Sequence, residues 1–366
     1  MKFSINREAL VKPLQQVAGV VERRQTLPVL SNLLLQVNDN QLSMTGTDLE
    51  VELIGRVEVT NTENGDVTVP ARKMVDICRE IPDNADIDFA FNENRLEIRS
   101  GRFRSTLSTL PAIDFPSVDQ SSPELSAEID SKAFKRLLDK TAFAMAQQDV
   151  RYFLNGMLIE LGGGHVRAVA TDGHRLAMSD LDQDGLDDTT KQVIVPRKGV
   201  IELQRLLQEL EDNVAIAIGS THLCATSSTF TLTTKLVDGK FPDYERVIPK
   251  GGDKLVLADK QELRQALSRT AILSNEKFRG IRVSLASGQL QLSANNPEQE
   301  EAEEIVSVEY EGDSLEVGFN VSYLQDVLNV IENEKVRVTL HDANSSAVIE
   351  DPELEDAVYV VMPMKL

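Results

Sequence analysis

The sequence Val195-Pro196-Arg197-Lys198 begins a helical pattern that continues through Val200-Ile-Glu-Leu-Gln-Arg-Leu-Leu207. A related stretch, Val69-Pro70-Ala71-Arg72-Lys73, precedes another helical pattern, and Pro70 stands 126 positions before Pro196. A third version, Phe319-Asn320-Val321-Ser322, places Asn320 124 positions after Pro196. Similar stretches at nearly constant spacing indicate an internal repeat, which has to be recognised before any other feature because it determines the architecture.

Three further landmarks recur at similar spacing. One is a pair of small polar residues after a strand pattern, one is a strand followed by a polar cap and a helix, and one is a Phe-Pro pair. They stand at Thr47-Asp48, Thr171-Asp172 and Asn295-Asn296; at Phe3–Leu10, Ala127–Phe134 and Leu255–Leu263; and at Phe115-Pro116 and Phe241-Pro242. The chain is therefore predicted to contain three copies of one fold unit.

Each copy is predicted to hold two helices and about eight strands. Period-two alternation marks the strands, as in Gln41-Leu-Ser-Met-Thr, and Asp130 with Ser131, and Asp259, are suitable helix caps. The predicted class is α+β, with helices packed on antiparallel sheets. Stretches rich in turn residues near 118–126 and 248–254 separate the copies, which gives predicted domains at 1–120, 126–248 and 253–366.

The charge is unevenly distributed. The chain carries a formal net charge of −21, which taken alone argues against nucleic acid. The six helical segments hold 21 Lys and Arg against 11 Asp and Glu, a net of +10 over 96 residues; they are 7–24, 72–80, 131–151, 197–207, 260–282 and 320–333. If the helices share one face, that face is positive and attracts phosphates without reading base sequence. Duplex DNA is therefore the predicted partner.

No enzyme site is predicted. His174 beside Asp172 looks catalytic, but the equivalent positions of the other copies carry no His. No phosphate-binding loop or CxxC motif is present, and the acidic run 297–304 is interpreted as a solvated or ion-paired edge, so we expect no metal or cofactor. Cys78 is expected to be buried and reduced. Two alternatives stay open, a nuclease-like nucleic-acid enzyme and a scaffold that makes no DNA contact.

The two ends of the chain are informative. The start, Met1–Glu8, is charged at once and resembles no signal peptide, and no apolar run reaches membrane-spanning length, so we expect a cytoplasmic protein without membrane contact. The stretch Val358–Leu366 is apolar to its last residue. It is predicted to line an adaptable apolar cleft, with an edge strand packed into its own domain as the alternative.

These residues also carry a resemblance that spans the whole chain. The matching motifs are Lys12–Gln16, Thr45–Glu50, Val150–Met157, Ala170–Leu176, Val193–Gly199, Phe241–Tyr244, Ser274–Gly280, Asn295–Glu301 and Val360–Met364. The sequence resembles the bacterial sliding clamps, the beta subunits of DNA polymerase III. The resemblance implies a homodimeric, six-domain ring that encircles duplex DNA, with helices inside and sheets outside.

The resemblance also implies particular site residues. DNA contacts are implied at Arg24, Arg72, Gln148, Tyr152, Phe153, Arg197 and Lys198. A cleft for peptides of the replicative polymerase, the clamp loader and other clients is implied at Leu154, Thr171, Gly173, His174, Arg175, Leu176, Pro242, Arg246, Val247, Val360, Met362, Pro363 and Met364. The apolar members of this cleft are the expected anchors, and Arg175, Arg246 and the Leu366 carboxylate are its expected polar rim.

A dimer interface is predicted between the first domain of one subunit and the third domain of the other. Its predicted residues are Lys73, Arg102, Arg104, Leu107, Ile272, Leu273, Glu298, Glu300, Glu303 and Glu304. One position departs from the family pattern, because Ser105 replaces an aromatic residue of well-known members. The apolar part of the interface is therefore expected to be thinner here, or to use Phe103.

Overall fold

The computed structural model describes residues 1–22, 27–118, 122–186 and 188–365. The chain divides into two units, each formed from two stretches. Unit 1 comprises Met1–Lys132 and Lys198–Leu236, and unit 2 comprises Ala133–Arg197 and Val237–Leu366. The middle repeat contributes segments to both units. The predicted domain ranges follow the sequence repeat rather than these packing units, and they stay predictions.

Each repeat contains two helices within the described ranges. In the first repeat these are α1 (Arg7–Val20) and α2 (Ala71–Glu80). The second contains α3 (Ser131–Asp139) and α4 (Arg197–Leu207), and the third contains α5 (Lys260–Ala271) and α6 (Val321–Val330).

The strands are antiparallel, and the described parts of the three repeats contain nine, eight and eight of them. In the first repeat they are β1 (Lys2–Asn6), β2 (Asn32–Asn38), β3 (Gln41–Thr47), β4 (Val51–Glu58), β5 (Thr60–Glu63), β6 (Gly65–Pro70), β7 (Asp86–Asn92), β8 (Arg95–Ser100) and β9 (Phe103–Ser108). The second repeat has β10 (Leu125–Asp130), β11 (Gly156–Gly162), β12 (His165–Thr171), β13 (Arg175–Asp182), β14 (Lys191–Pro196), β15 (Asn213–Ile218), β16 (His222–Thr226) and β17 (Phe230–Lys235). The third has β18 (Lys254–Asp259), β19 (Gly280–Ala286), β20 (Gln289–Asn295), β21 (Glu301–Glu309), β22 (Leu315–Asn320), β23 (Lys335–Leu340), β24 (Ala347–Asp351) and β25 (Leu354–Val361).

Unit 1 contains two sheets. The smaller has the order β5-β1-β7-β8-β9, and the larger has the order β10-β15-β16-β17-β4-β3-β2-β6. Strand β17 of the second repeat pairs with β4 of the first, from Phe230 opposite Gly55 to Thr234 opposite Val51. This ladder joins the two repeats into one continuous sheet.

Unit 2 contains one long sheet. Its order is β14-β11-β12-β13-β25-β24-β23-β18-β21-β20-β19-β22. Here β25 of the third repeat pairs with β13 of the second, from Ala357 opposite Ser179 to Val361 opposite Arg175. The same kind of ladder therefore joins successive repeats twice along the chain.

Helices α1, α5 and α6 begin at side-chain caps, whereas α2 follows Pro70 and has none. The Asn6 side chain accepts a hydrogen bond from Glu8 N at the start of α1, and Asp259 accepts one from Glu262 N at the start of α5, as predicted for Asp259. Helix α1 buries Leu10, Leu14 and Val17, which lie three or four positions apart on one face. The predicted pattern of caps and apolar faces thus produces the helical layer.

Two of the helix-centred segments are helical over only part of their length. The segment 131–151 is helical only to Asp139, and 260–282 only to Ala271. After α5, the Ser274 hydroxyl donates to Ala271 O, and the Asn275 side chain accepts from Lys277 N and Phe278 N. Such local side-chain bonds satisfy backbone groups outside the helix and so favour a turn. The basic residues beyond these ends lie on loops instead of helices.

Candidate functional site

The β12–β13 turn carries five of the predicted cleft residues. Thr171 Oγ1 donates to Arg175 O at 2.6 Å, and Asp172 Oδ1 accepts from His174 N at 2.9 Å and Arg175 N at 3.0 Å. Gly173 has φ +88°, and a Cβ there would lie 2.9 Å from the Arg151 guanidinium. Glycine is therefore favoured at this position. His174 is exposed, and its ring stacks on Tyr323.

Arg175 is held from several sides. Its guanidinium donates to Asp172 Oδ2 at 3.1 Å, Asp326 Oδ2 at 2.5 Å and Phe143 O at 2.8 Å. It also lies over the Tyr323 ring at 4.5 Å and the Phe143 ring at 5.2 Å. Its side chain is only 11% exposed. The donors of Arg175 are therefore engaged inside unit 2, and its place on the polar rim stays a prediction.

An apolar floor lies beside this turn. We use this name for Leu158, Val169, Leu176, Ile194, Phe241, Tyr244 and Val360, which form one buried cluster. Phe153, Met178, Val237, Val247 and Ile248 pack against it from partly buried positions. Leu176 lies opposite Val360 in the β13–β25 ladder. The predicted anchors Leu176, Val247 and Val360 therefore come together although they are far apart in sequence.

The chain after β25 runs along the same turn. Met362 N donates to His174 O at 2.9 Å, and Met364 N donates to Gly318 O at 2.8 Å. The Met362 side chain is 38% exposed, whereas Pro363 and Met364 are partly buried. The alternative of an edge strand was wrong, because β25 lies between β13 and β24 and pairs with both. The role of Met362 in a cleft stays a prediction. The Leu366 carboxylate lies outside the described residues.

A buried polar network supports one wall of the cleft. Tyr244 donates its hydroxyl proton to Glu160, and Arg167 donates to Tyr244 Oη at 3.1 Å and to Asp180 Oδ1 at 2.6 Å. Burial, together with the Glu160 contact, raises the pKa of Tyr244 to about 12. Tyr244 begins the short helical turn that ends at Arg246, whose side chain is 86% exposed and bonds to Asp243 at 2.7 Å. Arg246 is therefore accessible to solvent, and its role as a rim residue stays a prediction. Two more predicted cleft residues are Pro242, which is partly buried, and Leu154, which is buried.

Three predicted DNA-contact residues follow α3 on a loop. Gln148 has φ +56°, and Tyr152 and Phe153 belong to the short helical turn Tyr152–Leu154. Tyr152 is 58% exposed, whereas Phe153 packs on the apolar floor. Hydrogen bonds from Arg151 lower the pKa of Asp149 to about 2, so this carboxylate stays charged and fixes the loop. The loop presents Tyr152 rather than Phe153 to solvent.

The predicted cations are not equally available. The Arg72 side chain is 78% exposed, with only a loose contact of 3.9 Å to Asp76. Lys198 is held by Asp48 and by Glu22 at 3.1 Å, and Arg197 Nη1 donates to Met145 O at 3.3 Å. Arg24 lies outside the described residues. The resemblance implies a DNA contact at Lys198, but its ion-pair partners are distant in sequence and could not be found from spacing.

The helices nevertheless keep the predicted charge bias. The six helices hold 14 Lys and Arg against 7 Asp and Glu, a net of +7. Since the chain totals −21, the residues outside them carry −28. The bias therefore survives the shorter helix boundaries.

The predicted interface residues lie at two sheet edges, one in each unit. Strand β9 ends the five-stranded sheet; its Phe103 is 45% exposed, Leu107 is buried, and Arg104 is paired with Glu97. Lys73 and Arg102 are exposed on the same unit. In unit 2, β21 pairs fully with β20, but β18 reaches only its last two residues, Val308 and Glu309. Residues 301–307 of β21 therefore present an open edge.

Apolar and acidic groups surround this open edge. Ile272 is 76% exposed and Leu273 is partly buried. Glu298, Glu300 and Glu303 are exposed, whereas Glu304 bonds to Arg269 through Nε at 2.9 Å. Ile305, 59% exposed, was missed. The sequence does mark Ile305, because it is an apolar residue on the otherwise polar face of an alternating strand, between Glu304 and the buried Val306.

Two kinds of feature are absent from the described ranges. They contain no cluster of three His, Cys, Asp or Glu side chains suited to a metal ion. In the same ranges, no helix is long and apolar enough to span a membrane.

Comparison with known proteins places these features in a family. Family models of the DNA polymerase III beta subunit match the whole length in order, with the N-terminal domain at residues 1–119, the central domain at 128–243 and the C-terminal domain at 245–365. The chain belongs to the DNA polymerase III beta subunit family. The predicted family, the α+β class and the three repeated clamp domains are thereby confirmed.

Individual beta clamps are similar over their full length. The beta sliding clamps of Pseudomonas aeruginosa and Escherichia coli are 61% and 53% identical to this chain, with 100% of both chains covered in each case. A crystal structure of the Pseudomonas aeruginosa clamp bound to griselimycin superimposes with a TM-score of 0.98 at 61% identity, and Caulobacter crescentus pol III beta with 0.95 at 37%, again with complete coverage of both chains. The predicted function, a DNA sliding clamp that docks partner proteins, is the function of this beta clamp family.

Proposed function

We propose that this chain is a non-catalytic processivity factor that closes around duplex DNA as a cytoplasmic, head-to-tail homodimer and tethers the replicative polymerase. The observation that carries the proposal is the cleft of unit 2, because it combines an apolar floor with an exposed rim in a chain whose three domains all match the beta clamp family. No cofactor or metal takes part. The domain ranges 1–120, 126–248 and 253–366 belong to this proposal.

The proposed peptide site is the cleft itself. Val247 and Met362 offer apolar surface above the buried Leu176 and Val360 at a junction of two repeats, where ligands commonly bind. Thr171, Gly173 and His174 provide a rigid turn along one side, and Arg246 provides a charged rim. A short peptide with one or two large apolar side chains fits this chemistry, and most of its binding energy would come from those anchors. We expect griselimycin, a ligand of the Pseudomonas aeruginosa clamp, to bind here.

The proposed DNA-contacting surface consists of the helices and the loop after α3. Arg72 is the strongest candidate among the described cations because its side chain is exposed and only loosely paired. Tyr152 and Gln148 extend the surface, and Arg24 is retained on the basis of the family resemblance. Lys198 contributes only if DNA displaces Glu22 or Asp48 from its ammonium group. Contacts of this kind are made to phosphates and carry no base information.

The proposed dimer interface pairs β9 with β21 of a second copy. Within the chain, β4 pairs with β17 and β13 with β25 in one register, with Val51 opposite Thr234 and Arg175 opposite Val361. In the third repeat, Glu300 occupies the position that Val51 has in the first repeat and Arg175 has in the second. The evidence is one backbone hydrogen bond in the preceding turn. Asp48 N donates to Val51 O in the first repeat, and Asn296 N donates to Glu300 O in the third.

The same register can be applied to the pairing of β9 with β21, the two strands at the open edges. Strand β9 is the counterpart of β17, and Leu107 occupies the position of Thr234. The pairing with the preceding strand sets this match, because Arg104 lies opposite Arg99 and Thr231 lies opposite Thr226. Glu303 of one copy would therefore lie opposite Arg104 of the other, and Ala302 opposite Ser105. The small Ser105 is compatible with this pairing, and Ile272 and Leu273 supply the adjacent apolar surface. Two such contacts close a ring.

Deletion of Met362 to Leu366 tests the proposed function. The truncated chain should lose stimulation of its polymerase on a primed circle, because Met362 and the backbone bond to His174 are removed. It should remain a dimer, since β9 and β21 are unchanged. Undiminished stimulation by the truncated dimer would contradict the assignment of the cleft.

A further inference from the structure

Unit 1 contains a structural counterpart of the peptide cleft at its own junction of repeats. The β3–β4 turn matches the β12–β13 turn, with Leu49 at φ +78° where Gly173 has φ +88°. Lys235 N donates to Glu50 O at 2.8 Å, as Met362 N donates to His174 O at 2.9 Å. The backbone that frames the cleft is therefore present twice in the chain.

The floor of the counterpart can be assigned residue by residue from strand register. Leu34 lies opposite Thr45 and Thr68, as Leu158 lies opposite Val169 and Ile194. Glu52 lies opposite Thr233, as Leu176 lies opposite Val360. Phe115 and Val118 stand where the second repeat has Phe241 and Tyr244. We name the set the polar floor: Leu34, Thr45, Glu52, Thr68, Phe115, Val118 and Thr233.

The two floors differ in chemistry. Four members of the polar floor, Thr45, Glu52, Thr68 and Thr233, are at most 6% exposed, whereas all seven members of the apolar floor are hydrophobic or aromatic. At the edge of the polar floor, the exposed Lys235 occupies the position that Met362 has beside the apolar floor. Among the described residues, the Glu52 carboxylate accepts one hydrogen bond, from Val118 N at 3.4 Å.

A buried carboxylate opposes an apolar ligand. An apolar side chain placed on Glu52 would remove its remaining water without replacing it by a donor, which is unfavourable for a charged group. Burial already raises the pKa of Glu52, in agreement with a poorly solvated carboxylate. Thr233 lies on the same face, where it places a buried hydroxyl group opposite Glu52 instead of the isopropyl group of Val360. The exposed Lys235, also on this face, would lose water without gaining a partner.

We propose that Glu52, Thr233 and Lys235 are specificity-determining residues that close this second cleft to apolar peptides and so limit each chain to one docked partner. This inference rests on the proposed function of the unit 2 cleft. It identifies three side chains, rather than the backbone, as the reason why one junction binds apolar peptides and the other does not. Specificity of this kind is achieved by placing unfavourable groups in the competing site.

The test makes the polar floor and its edge more apolar by replacing three polar side chains with apolar ones of similar size. The substitutions are Glu52→Met, Thr233→Val and Lys235→Met, combined in one chain. Isothermal titration with griselimycin should give one ligand per unaltered chain and two per triple variant, with the second binding event weaker. A triple variant that melts no lower than the unaltered chain and still binds one ligand would overturn the proposal. If it fails to fold, the Glu52→Met/Lys235→Met pair is titrated with the same two outcomes.

A truncated background separates this inference from the proposed function. Deletion of Met362 to Leu366 should abolish griselimycin binding in the otherwise unaltered chain and leave one site per chain in the triple variant. Persistent binding by the truncated, otherwise unaltered chain would contradict the unit 2 cleft assignment. Loss of binding in both truncated chains would contradict the role of Glu52, Thr233 and Lys235 alone.

Discussion

Arg175 and Arg246 are both assigned to the proposed cleft, but their side chains are held differently. Arg175 has three hydrogen-bonded partners and two aromatic rings around its guanidinium, whereas Arg246 is 86% exposed with one partner, Asp243. A planar guanidinium suits the first environment because it bonds at its edges and stacks on its faces. Arg175 therefore stabilises the fold, and Arg246 is available to a ligand.

Replacement of each arginine by alanine should separate these roles. Arg175→Ala should lower the free energy of unfolding by roughly 3 kcal/mol, because it leaves Asp172 and Asp326 without their shared cation. Arg246→Ala should change it by less than about 0.5 kcal/mol, as is usual at exposed positions, while weakening peptide binding. Urea unfolding and peptide titration of both variants measure the difference. Equal losses of stability would contradict the assigned roles.

Cys78 and Tyr244 predict a loss of stability at high pH. Burial raises the pKa of the Cys78 thiol from 9.0 to about 12, and burial with the Glu160 contact raises that of Tyr244 from 10.0 to about 12. Above pH 9 the unfolded chain loses these protons while the native chain keeps them. The unfolding free energy should therefore fall by a few kcal/mol between about pH 9 and 12.

Denaturant unfolding across this pH range measures the effect. Cys78→Ala is the control variant, since it removes the thiol proton from both states and should give a shallower decline. An identical slope in both proteins would show that Cys78 does not contribute.

At the scale of elements, the repeat made most of the fold predictable. Its landmarks located the helix starts and the β12–β13 turn, because caps, turns and alternation are local properties of sequence. The ends of α3 and α5 were missed, since Ser274 and Asn275 act through hydrogen bonds that hydrophobic period does not reveal. Ile305 was overlooked because an exposed apolar residue is informative only once the strand edge beside it is known to be open.

The open edges of β9 and β21 lead to a prediction about assembly. Ile272→Ala with Leu273→Ala should weaken the dimer, because each truncated anchor typically costs on the order of 1–2 kcal/mol, a roughly tenfold or larger rise in Kd. Ile113→Ala is the matched control, since Ile113 is 91% exposed but lies outside the proposed interface. Analytical ultracentrifugation at low concentration measures both. A double variant that dimerises like the control would exclude this interface.

Across the whole molecule, a negative chain concentrates its positive charge on its helices. The residue counts predicted this bias, but they did not identify which cations are free. Only the tertiary contacts distinguish exposed Arg72 from Lys198, whose partners Asp48 and Glu22 are 150 and 176 positions away. The cleft shows the same limit, because Leu176 and Val360 meet only through strand pairing.

Exposed Arg72 should contribute a non-specific phosphate contact. Arg72→Glu should weaken binding to short duplexes of any sequence and reduce the dependence of log K on log salt by about one unit. Arg95→Glu makes the same charge change at an exposed position on β8, away from the helices, and should have little effect. Fluorescence anisotropy over a salt series compares them. Equal effects would indicate that net charge, rather than a helical surface, governs binding.

The central claim is that the chain holds DNA by encircling it. The most direct measurement follows the protein, loaded onto a nicked circular duplex by its clamp loader, through gel filtration at moderate salt before and after the circle is linearised. A closed ring should co-elute with the circle, although its bare DNA contacts are salt-sensitive, and should be lost from the linear form by sliding off the ends. Equal retention on both forms, or loss from the intact circle at the same salt, would contradict encirclement.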